Sequence, residues 1–532
     1  MLKRQNSTHA LGSGPSAPKL SSSITWGLAA LLVLGGSFGA KAETDADSVA
    51  ALRQLVEQQN RKLDELNEKV RLLEEKDKQR ETVAAEPHLP AILIDTNGVP
   101  LGTIAAAEAA EKTPNKPLPQ ISAGADGFSF RSADSNFVMT LHGLVQFDSR
   151  TFFDPNPYTQ DEDGFLLRRA RPILAGTVFH DYDFLLVPDF GGSSVQLFDA
   201  SVNCRFAPWL QLKAGKFKGP VGLEQLQTDA AASFNERSLA SDLVPMRDVG
   251  IQLGGDVELG KSLLTWAVGA YDSDGDGRLA GNSPNSNDIE FGGRLFWQPF
   301  KNDPDSLLRG LGFGAGGSYC NVSSNSAALP ATTGGTLPGY WTTGQQQFFA
   351  YNPLLGPVVA DGPHWRISPE AYYYVGPFGV QAEYIISDQR VQNTFSGRSA
   401  TLENTAWQVT AQWMITGENA SFNAITPARP FDLHAGGWGA WQLVARLSQL
   451  DMDPNAFKGF ADAATSAHSA TEWSVGLNWW LNANVRWLVG FSHTTFQGGG
   501  GVNSAIPSTT TAPATVTAQA ESVLFTRIQL AF

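Results

Sequence analysis

From residue 128 onward, apolar and polar residues alternate along most of the chain, as in β-strands with one oily and one wet face. In FVMTLHGLVQFD, Phe137 and Met139 share one face, whereas Thr140 and His142 share the other. The same alternation recurs in DIEFGGRLFW and AWQLVARLSQL. Together with the turn signals, it predicts sixteen strands, near residues 137, 166, 183, 195, 210, 247, 262, 288, 309, 366, 379, 404, 440, 471, 485 and 521.

The connections between these strands alternate in length. Short turns such as Gly376 to Gly379 follow long loops such as Asn321 to Trp365, although Thr416 to Gly439 is long for its side. Short turns on one side, long loops on the other and an even strand count are typical of outer-membrane barrels. A soluble β-sandwich is the alternative. The pattern favours an all-β transmembrane barrel of about 16 antiparallel strands over residues 126–532.

Both ends of the chain carry features of exported proteins. In ITWGLAALLVLGGSFGAKAE, an apolar core precedes the small residues Ala40 and Ala42, which predicts a signal peptide over residues 1–42. A membrane-anchoring helix is the alternative, but the apolar run is short of the roughly 20 residues that a spanning helix needs. The chain ends in SVLFTRIQLAF, an amphipathic strand with a terminal aromatic, which resembles the signal read by the outer-membrane barrel assembly machinery. We therefore expect a Gram-negative outer-membrane protein.

Residues 43–81 follow a different period. Apolar residues recur at alternating steps of three and four over four heptads, at Val49, Leu52, Val56, Leu63, Leu66, Val70 and Leu73, with Gln59 as the polar exception. This spacing predicts a short periplasmic coiled coil, with a solvated single helix as the alternative. The valine and leucine seam favours two-stranded association. Residues 82–125 contain six prolines and many alanines, which predicts a linker of limited order.

Composition narrows the function. A net charge of −14 and a pI near 5.1 argue against a nucleic-acid partner. Cys204 and Cys320 are too few for a disulfide framework, and we expect them to be unpaired. The stretch Asp272 to Gly277 begins like a calcium loop, but Ser283 stands where the bidentate glutamate belongs. Without a hydrolase motif or metal-ligand spacing, we expect no enzyme activity, no metal and no cofactor.

Several segments resemble the phosphate-selective porin O and P family, and as a set they run through most of residues 128–532. They are LRRAR (Leu167 to Arg171), GKFKGPVGLEQL (Gly215 to Leu226), FNERSL (Phe234 to Leu239), VPMRDVGIQL (Val244 to Leu253), GQQQFFAY (Gly344 to Tyr351), YYYVGPFGVQAEY (Tyr372 to Tyr384), ITGE (Ile415 to Glu418) and GAWQLVARLS (Gly439 to Ser448). The resemblance implies a sixteen-stranded homotrimer whose third external loop folds inward to narrow the pore. Some family members pass phosphate or polyphosphate.

The stretch GFLLRRARPILAGTVF places three arginines in one predicted strand. Its even positions from Ala170 onward suit lipid, so we expect Arg169 and Arg171 to face the lumen and Arg168 to lie near the outer rim. A charge that faces lipid at mid-depth would cost about 2 to 4 kcal/mol. Arginine keeps its charge and offers a planar fork of donors, which suits the stepwise passage of anions. The expected anion pathway comprises Arg168, Arg169, Arg171, Arg237, Arg247, Arg294, Lys216 and Lys218.

An alternative role for these arginines stays open. The same register places Arg294, Arg366, Arg446 and Arg527 in the lumen with several carboxylates, so the arginines could instead pair with the wall or the loops. The pattern does not show which of the three lysines of the predicted strand near residue 210 faces the lumen: Lys213, Lys216 or Lys218.

The predicted function is an outer-membrane porin, a diffusion channel for small hydrophilic solutes, with anions such as phosphate or polyphosphate as the expected permeants. The first alternative is a porin of broad or non-phosphate selectivity. The second is an envelope tether, in which the coiled coil binds the cell wall or a periplasmic partner and the barrel serves as the anchor in outer-membrane lipid.

Overall fold

The computed structural model of this protein describes residues 119–153, 162–192, 194–272, 275–277, 279, 281–282, 288–322, 337–351, 357–499 and 518–532. The predicted signal peptide and coiled coil, and most of the predicted linker, lie outside the described residues and stay predictions. Within the described ranges, no helix is long and apolar enough to cross a membrane.

The described residues form twenty strands and a few short helical turns. The strands are β1 (Gln120–Gly124), β2 (Gly127–Arg131), β3 (Phe137–Phe153), β4 (Gly164–Val178), β5 (Tyr182–Asp189), β6 (Gln196–Ala207), β7 (Leu210–Phe217), β8 (Asp248–Leu259), β9 (Ser262–Asp272), β10 (Ile289–Gln298), β11 (Leu311–Val322), β12 (Tyr340–Trp341), β13 (Gln347–Phe349), β14 (Val358–Val375), β15 (Phe378–Asn393), β16 (Ser399–Met414), β17 (Ala440–Asp451), β18 (Ser469–Trp480), β19 (Val485–Gln497) and β20 (Glu521–Ala531). The helical turns are α1 (Leu223–Leu226) and the 3₁₀ turns Leu239–Leu243, Leu307–Gly310 and Pro454–Phe457.

Sixteen of the strands, β3 to β11 and β14 to β20, form a closed antiparallel barrel. Each pairs with the next in sequence, and β20 closes the ring on β3, with Arg527 opposite Asp148. Closure removes the unpaired strand edge that hydrocarbon would penalise heavily. The predicted sixteen-stranded barrel is confirmed.

The two faces of the wall alternate as predicted. Along β17, Leu443 and Leu447 are exposed on the outer face, whereas Gln442 and Arg446 are buried on the inner face. The outer residues suit lipid. The inner ones are buried because loops occupy much of the lumen, as described below.

A β-bulge in β4 corrects the predicted register at Arg168. Gln146 pairs with Arg169 and Phe147 with Leu167, so Arg168 is an extra residue in the ladder. The expectation that Arg168 lies on the even, lipid-side face is wrong, because its guanidinium lies inside the barrel, where it donates to Glu236 (2.6 Å).

A hairpin of β1 and β2 precedes the barrel. It begins at Gln120, inside the predicted linker of residues 82–125, so the sheet starts earlier than residue 126. Phe128 of β2 pairs with Leu141 of β3, beyond the last pair between β20 and β3, Ala531 with Leu144. We call residues 120–131 the periplasmic hairpin, because they lie on the short-turn side of the barrel.

A hydrophobic core lies inside the mouth of the barrel on its long-loop side. Three loops contribute to it: L3 (residues 218–247), L5 (residues 323–357) and L7 (residues 452–468). Leu243 of L3, Phe349 of L5 and Phe460 of L7 are fully buried there against wall residues. Burying one such side chain contributes about 1.5 to 3 kcal/mol, so the core holds the loops in the barrel.

Two adjacent residues of β8 test the assignment of the two faces. Leu253 faces outward, and Gln252 lies on the cavity side of the same strand. We expect Leu253→Arg to lower the free energy of unfolding in lipid vesicles by about 2 to 4 kcal/mol, and Gln252→Arg to change it little, because a wet lumen tolerates charge. Urea titration of both variants measures the difference. Equal losses would mean that the register of β8 is wrong.

Candidate permeation pathway

L3 runs through the lumen instead of projecting from the barrel. Arg486 of β19 donates to the carbonyl of Ala232 (2.8 Å), and Asn478 of β18 donates to that of Ser233 (3.0 Å). On the same side of the barrel, the amide N–H of Leu223 donates to the carboxylate of Glu383 (2.7 Å). L3 is therefore fixed to several strands, and the inward-folded third loop that the family resemblance implies is confirmed.

The arginines of β4 bind the carboxylates of L3. Asp229 pairs with Arg171, with Arg169 (3.4 Å) and, within L3, with Arg237 (2.7 Å). A second L3 carboxylate, Glu236, pairs with Arg168 (2.6 Å). We call these residues the L3 anchor cluster.

Further contacts complete the anchor. Arg171 also pairs with Asp189 of β5 (2.6 Å), and its guanidinium lies over the ring of Phe198, 3.9 Å from the centroid. Arg150 of β3 contributes a second ion pair to Glu236 (3.3 Å). Because these groups are buried, each is expensive to leave without its partner.

The two loop carboxylates are held in their charged form. Burial acts to raise the pKa of Asp229, but Arg169, Arg237 and Arg171 keep it well below the usual value. Burial acts to raise the pKa of Glu236 as well, but Arg168, together with Arg169 and Arg527, keeps it below the usual value. Asp229 and Glu236 are thus both carboxylates at neutral pH.

The remaining predicted arginines are also paired. Arg247 contacts Asp199 (3.3 Å), and Arg294 donates to Glu370 (2.6 Å). In the part of the chain that the structure describes, all six arginines of the predicted pathway therefore have carboxylate partners. Ion pairing, the alternative left open by the sequence, is the arrangement found.

A cavity of about 570 Å³ lies between L3 and the wall from β5 to β10. Its charged lining residues are Asp183, Asp199, Lys213, Lys218, Asp256 and Arg294. The polar residues Asn203, Gln211 and Gln252 separate them. This cavity is the candidate pathway.

Two lysines in this lining make no ion pair with the described residues. Lys213 Nζ lies over the ring of Phe217, 4.7 Å from the centroid, and Lys218 Nζ donates to the carbonyl of Gln227 (2.7 Å). Lys216 does not line the cavity. It has the opposite parity on β7, and its ammonium contacts Asn282 (3.1 Å). The structure therefore places Lys216 outside the candidate pathway and Lys213 in its lining.

The acidic residues of the cavity are mostly engaged. Asp183 pairs with Arg205 (3.3 Å), as Asp199 does with Arg247. Asp256 is exposed near the periplasmic end of β8 and accepts a hydrogen bond from Thr265 (2.6 Å). Next to L3, the charged lining residues that make no ion pair with the described residues are therefore Lys213 and Lys218.

The comparisons with known proteins agree with this architecture. A family model described as phosphate-selective porin O and P matches residues 139–505. The chain belongs to this family. The family and the barrel fold make the protein an outer-membrane channel.

Solved structures similar to this porin include the outer membrane channel DcaP of Acinetobacter baumannii, at 10% identity and a TM-score of 0.46, over 77% of this chain and 100% of that one. An anion-selective porin from Comamonas acidovorans is similar at 12% identity and a TM-score of 0.43, over 74% and 100%. OmpF of Salmonella typhi, in complex with daunomycin, is similar at 14% identity and a TM-score of 0.43, over 75% and 98%. No curated protein matches the chain. The family assignment rests on the family model.

The unusually long periplasmic connection also enters the lumen of this porin. The carbonyl of Phe422 accepts a hydrogen bond from Gln227 of L3 (2.7 Å), and the ring of Phe422 stacks on Tyr372, with 5.6 Å between centroids. Ala420 and Ile425 are buried nearby. The lumen near β14 to β18 is thus occupied from both ends, which favours the cavity beside β5 to β10 as the candidate pathway.

Sequence reasoning missed the residues that hold L3 in place. The sequence pattern does not identify Asp229, and it includes Glu236 only as part of the segment FNERSL. The available signal was the arginines themselves, because a loop folded among buried cations needs carboxylates of its own.

The anchor cluster predicts how L3 controls pore size. Arg171→Met keeps the packing on Phe198 but leaves Asp229 and Asp189 short of a partner, which should cost about 3 to 5 kcal/mol locally. We expect L3 to detach, single-channel conductance to rise and L3 to become susceptible to protease.

A matched control is Lys261→Met, which breaks an exposed ion pair with Asp303 and should change neither property. Unchanged conductance and unchanged protease resistance in Arg171→Met would show that this arginine does not hold L3.

Proposed function

We propose that this porin is a diffusion channel for small hydrophilic solutes with a preference for anions, phosphate or polyphosphate among them. The observation that carries the proposal is that Lys213 and Lys218 line the cavity without an ion-pair partner among the described residues. A permeating anion would provide a counter-ion for these two ammonium groups.

Lysine suits a transient site of this kind. Its ammonium is a compact point charge that binds phosphate without the bidentate geometry of arginine. Conduction requires an interaction that is favourable enough for entry and weak enough for exit. The arginines of the anchor cluster are already paired with carboxylates, so their contribution is to hold L3 and to shape the cavity.

Asp183, Asp199 and Asp256 in the same lining favour a second candidate, a porin of broader selectivity. Asp183 and Asp199 are paired with arginine, and Asp256 lies near the periplasmic end of β8, away from L3, which is why we place anion preference first. We further propose a homotrimer, with the predicted coiled coil in the periplasm. In the tether alternative, the barrel would be an anchor and would not conduct.

Reversal potential in a potassium chloride gradient tests the proposal. We expect Lys213→Glu/Lys218→Glu to shift selectivity toward cations, because each change reverses a charge in a narrow, low-dielectric passage. Any block of chloride current by phosphate should be lost as well. Lys261→Glu, at a periplasmic turn, is the control and should leave both unchanged.

Two results would contradict this view. An unshifted reversal potential in the double variant would favour the broad-selectivity porin. The absence of any conductance in the unmodified protein would favour the tether.

Anion preference should also depend on pH. Burial, reinforced by Arg237, keeps the pKa of Lys218 well below the usual lysine value. A lysine loses its charge as the pH rises through its pKa, so anion preference should be greatest at low pH and fall on the alkaline side. Lys218→Arg should weaken this dependence, because arginine stays protonated and only Lys213 is then left to lose its charge. Reversal potentials measured across the pH range would show the same fall in both proteins if Lys218 is not responsible.

A further inference from the structure

Gln227 lies where L3 meets the periplasmic connection between β16 and β17 (residues 415–439). It directly follows α1 and is buried, with 2% of its surface exposed. Its side-chain amide donates to the carbonyl of Phe422 in the connection (2.7 Å). Its own carbonyl accepts a hydrogen bond from the ammonium of Lys218 (2.7 Å). One residue thus joins a segment from the periplasmic side to a cation of the candidate pathway.

The periplasmic connection is fixed to the barrel on both sides of Phe422. The amide of Ala420 donates to the carbonyl of Gly376 (2.8 Å), at the turn between β14 and β15, and Ile425 is buried in a small hydrophobic core. The ring of Phe422 itself stacks on Tyr372 of β14. None of these contacts involves L3. The carbonyl of Phe422 is therefore a fixed point on the wall, and the side chain of Gln227 ties L3 to it.

The carbonyl of Gln227 holds two cations. Arg237 donates to it (3.0 Å) as Lys218 does, and Arg237 is itself bound to Asp229 of the anchor cluster (2.7 Å). Gln227 ends α1 in an extended conformation, with φ −58° and ψ 143°, so its carbonyl does not continue the helical row of carbonyls. Hydrogen bonds from charged donors are short and directional. The position of the Lys218 ammonium therefore depends on where the backbone of Gln227 is held.

We propose that Gln227 is a positioning residue for the permeation pathway, through which the periplasmic connection sets the place of the Lys218 ammonium in the cavity wall. The inference rests on the proposed role of Lys218 in anion passage. It gives the connection a part in selectivity, although the connection enters the lumen from the short-turn side and L3 enters from the long-loop side.

The surroundings of Lys218 give this inference a measurable signature. The charged residues that act on its ammonium are Asp199, Asp229, Arg237 and Arg247. The other charged residues of the cavity lining are Asp183, Lys213, Asp256 and Arg294. Burial, reinforced by Arg237 and Arg247, keeps the pKa of Lys218 well below the usual lysine value. An ammonium that Gln227 no longer holds in this place gains contact with water, so its pKa should rise toward the usual value.

Gln227→Met tests the inference in the full-length porin, because methionine keeps the length of the side chain but donates no hydrogen bond. Gln225→Met is the matched control: Gln225 is equally buried (2%) and also donates to a backbone carbonyl, that of Met246 (2.9 Å). From reversal potentials, we expect Gln227→Met to raise the pH at which anion preference falls by on the order of one unit, because Lys218 loses part of its burial. Gln225→Met should leave this pH unchanged.

A chemical measurement separates this inference from the proposed selectivity. The pH dependence of the rate at which acetic anhydride modifies Lys218, followed by mass spectrometry, gives the midpoint of its ammonium without any transport. Gln227→Met should raise this midpoint and leave that of Lys213 unchanged. A protein without anion preference whose Lys218 midpoint still rises in Gln227→Met would contradict the proposed selectivity and support the position assigned to Gln227.

Phe422→Leu approaches the same contact from the connection. Leucine removes the ring that stacks on Tyr372, so the Lys218 midpoint should rise here too, and the change should not add to that of Gln227→Met. Heat-modifiable migration checks that each barrel is folded, and Phe422→Leu carries the test if Gln227→Met does not fold. An unchanged midpoint in the folded variants would overturn the proposal. So would an equal rise in Gln225→Met, which would indicate a general loosening of L3.

Discussion

The pairing of loop carboxylates with wall arginines is the interaction on which the interior of this porin depends. Asp229 and Glu236 carry L3 into a lumen that already presents Arg168, Arg169 and Arg171. Neither partner could be buried alone, because an isolated charge in a low-dielectric site is prohibitively costly. Loop and wall therefore require each other, and the position of L3 follows from the positions of the arginines.

That constraint also shapes the open volume inside the barrel. L3 is fixed against β3, β4 and β15 to β20, and the hydrophobic core of L3, L5 and L7 lies on the same side of the lumen. The open volume therefore lies beside β5 to β10. The arginines of β4 therefore serve to hold L3 in the lumen. The candidate pathway is the cavity beside β5 to β10, where Lys213 and Lys218 make no ion pair with the described residues.

The sequence predicted the barrel well because its signals are local. Alternation with a period of two sets the face of every residue relative to its neighbours, and the sixteen predicted strands correspond to the sixteen of the barrel. The prediction from alternation failed at Arg168, where a β-bulge inserts one extra residue into β4 and exchanges the two faces of the strand. The bulge could not be recognised from the sequence, because charged and apolar residues do not alternate cleanly in this stretch. The prediction also failed at β1, which was hidden in a proline-rich segment.

The sequence by itself thus determined the architecture, the inward side of Arg169 and Arg171 and, through its resemblance, the family. Only the tertiary structure decided what those arginines do. Arg171 and Asp229 are 58 residues apart, and Arg446 lies 222 residues from its partner Glu224. Periodicity describes what a residue faces and carries no information about which distant side chain will meet it there. The same lumen-facing arginine can serve a passing anion or a loop carboxylate, and the choice is made when L3 folds into the closed barrel.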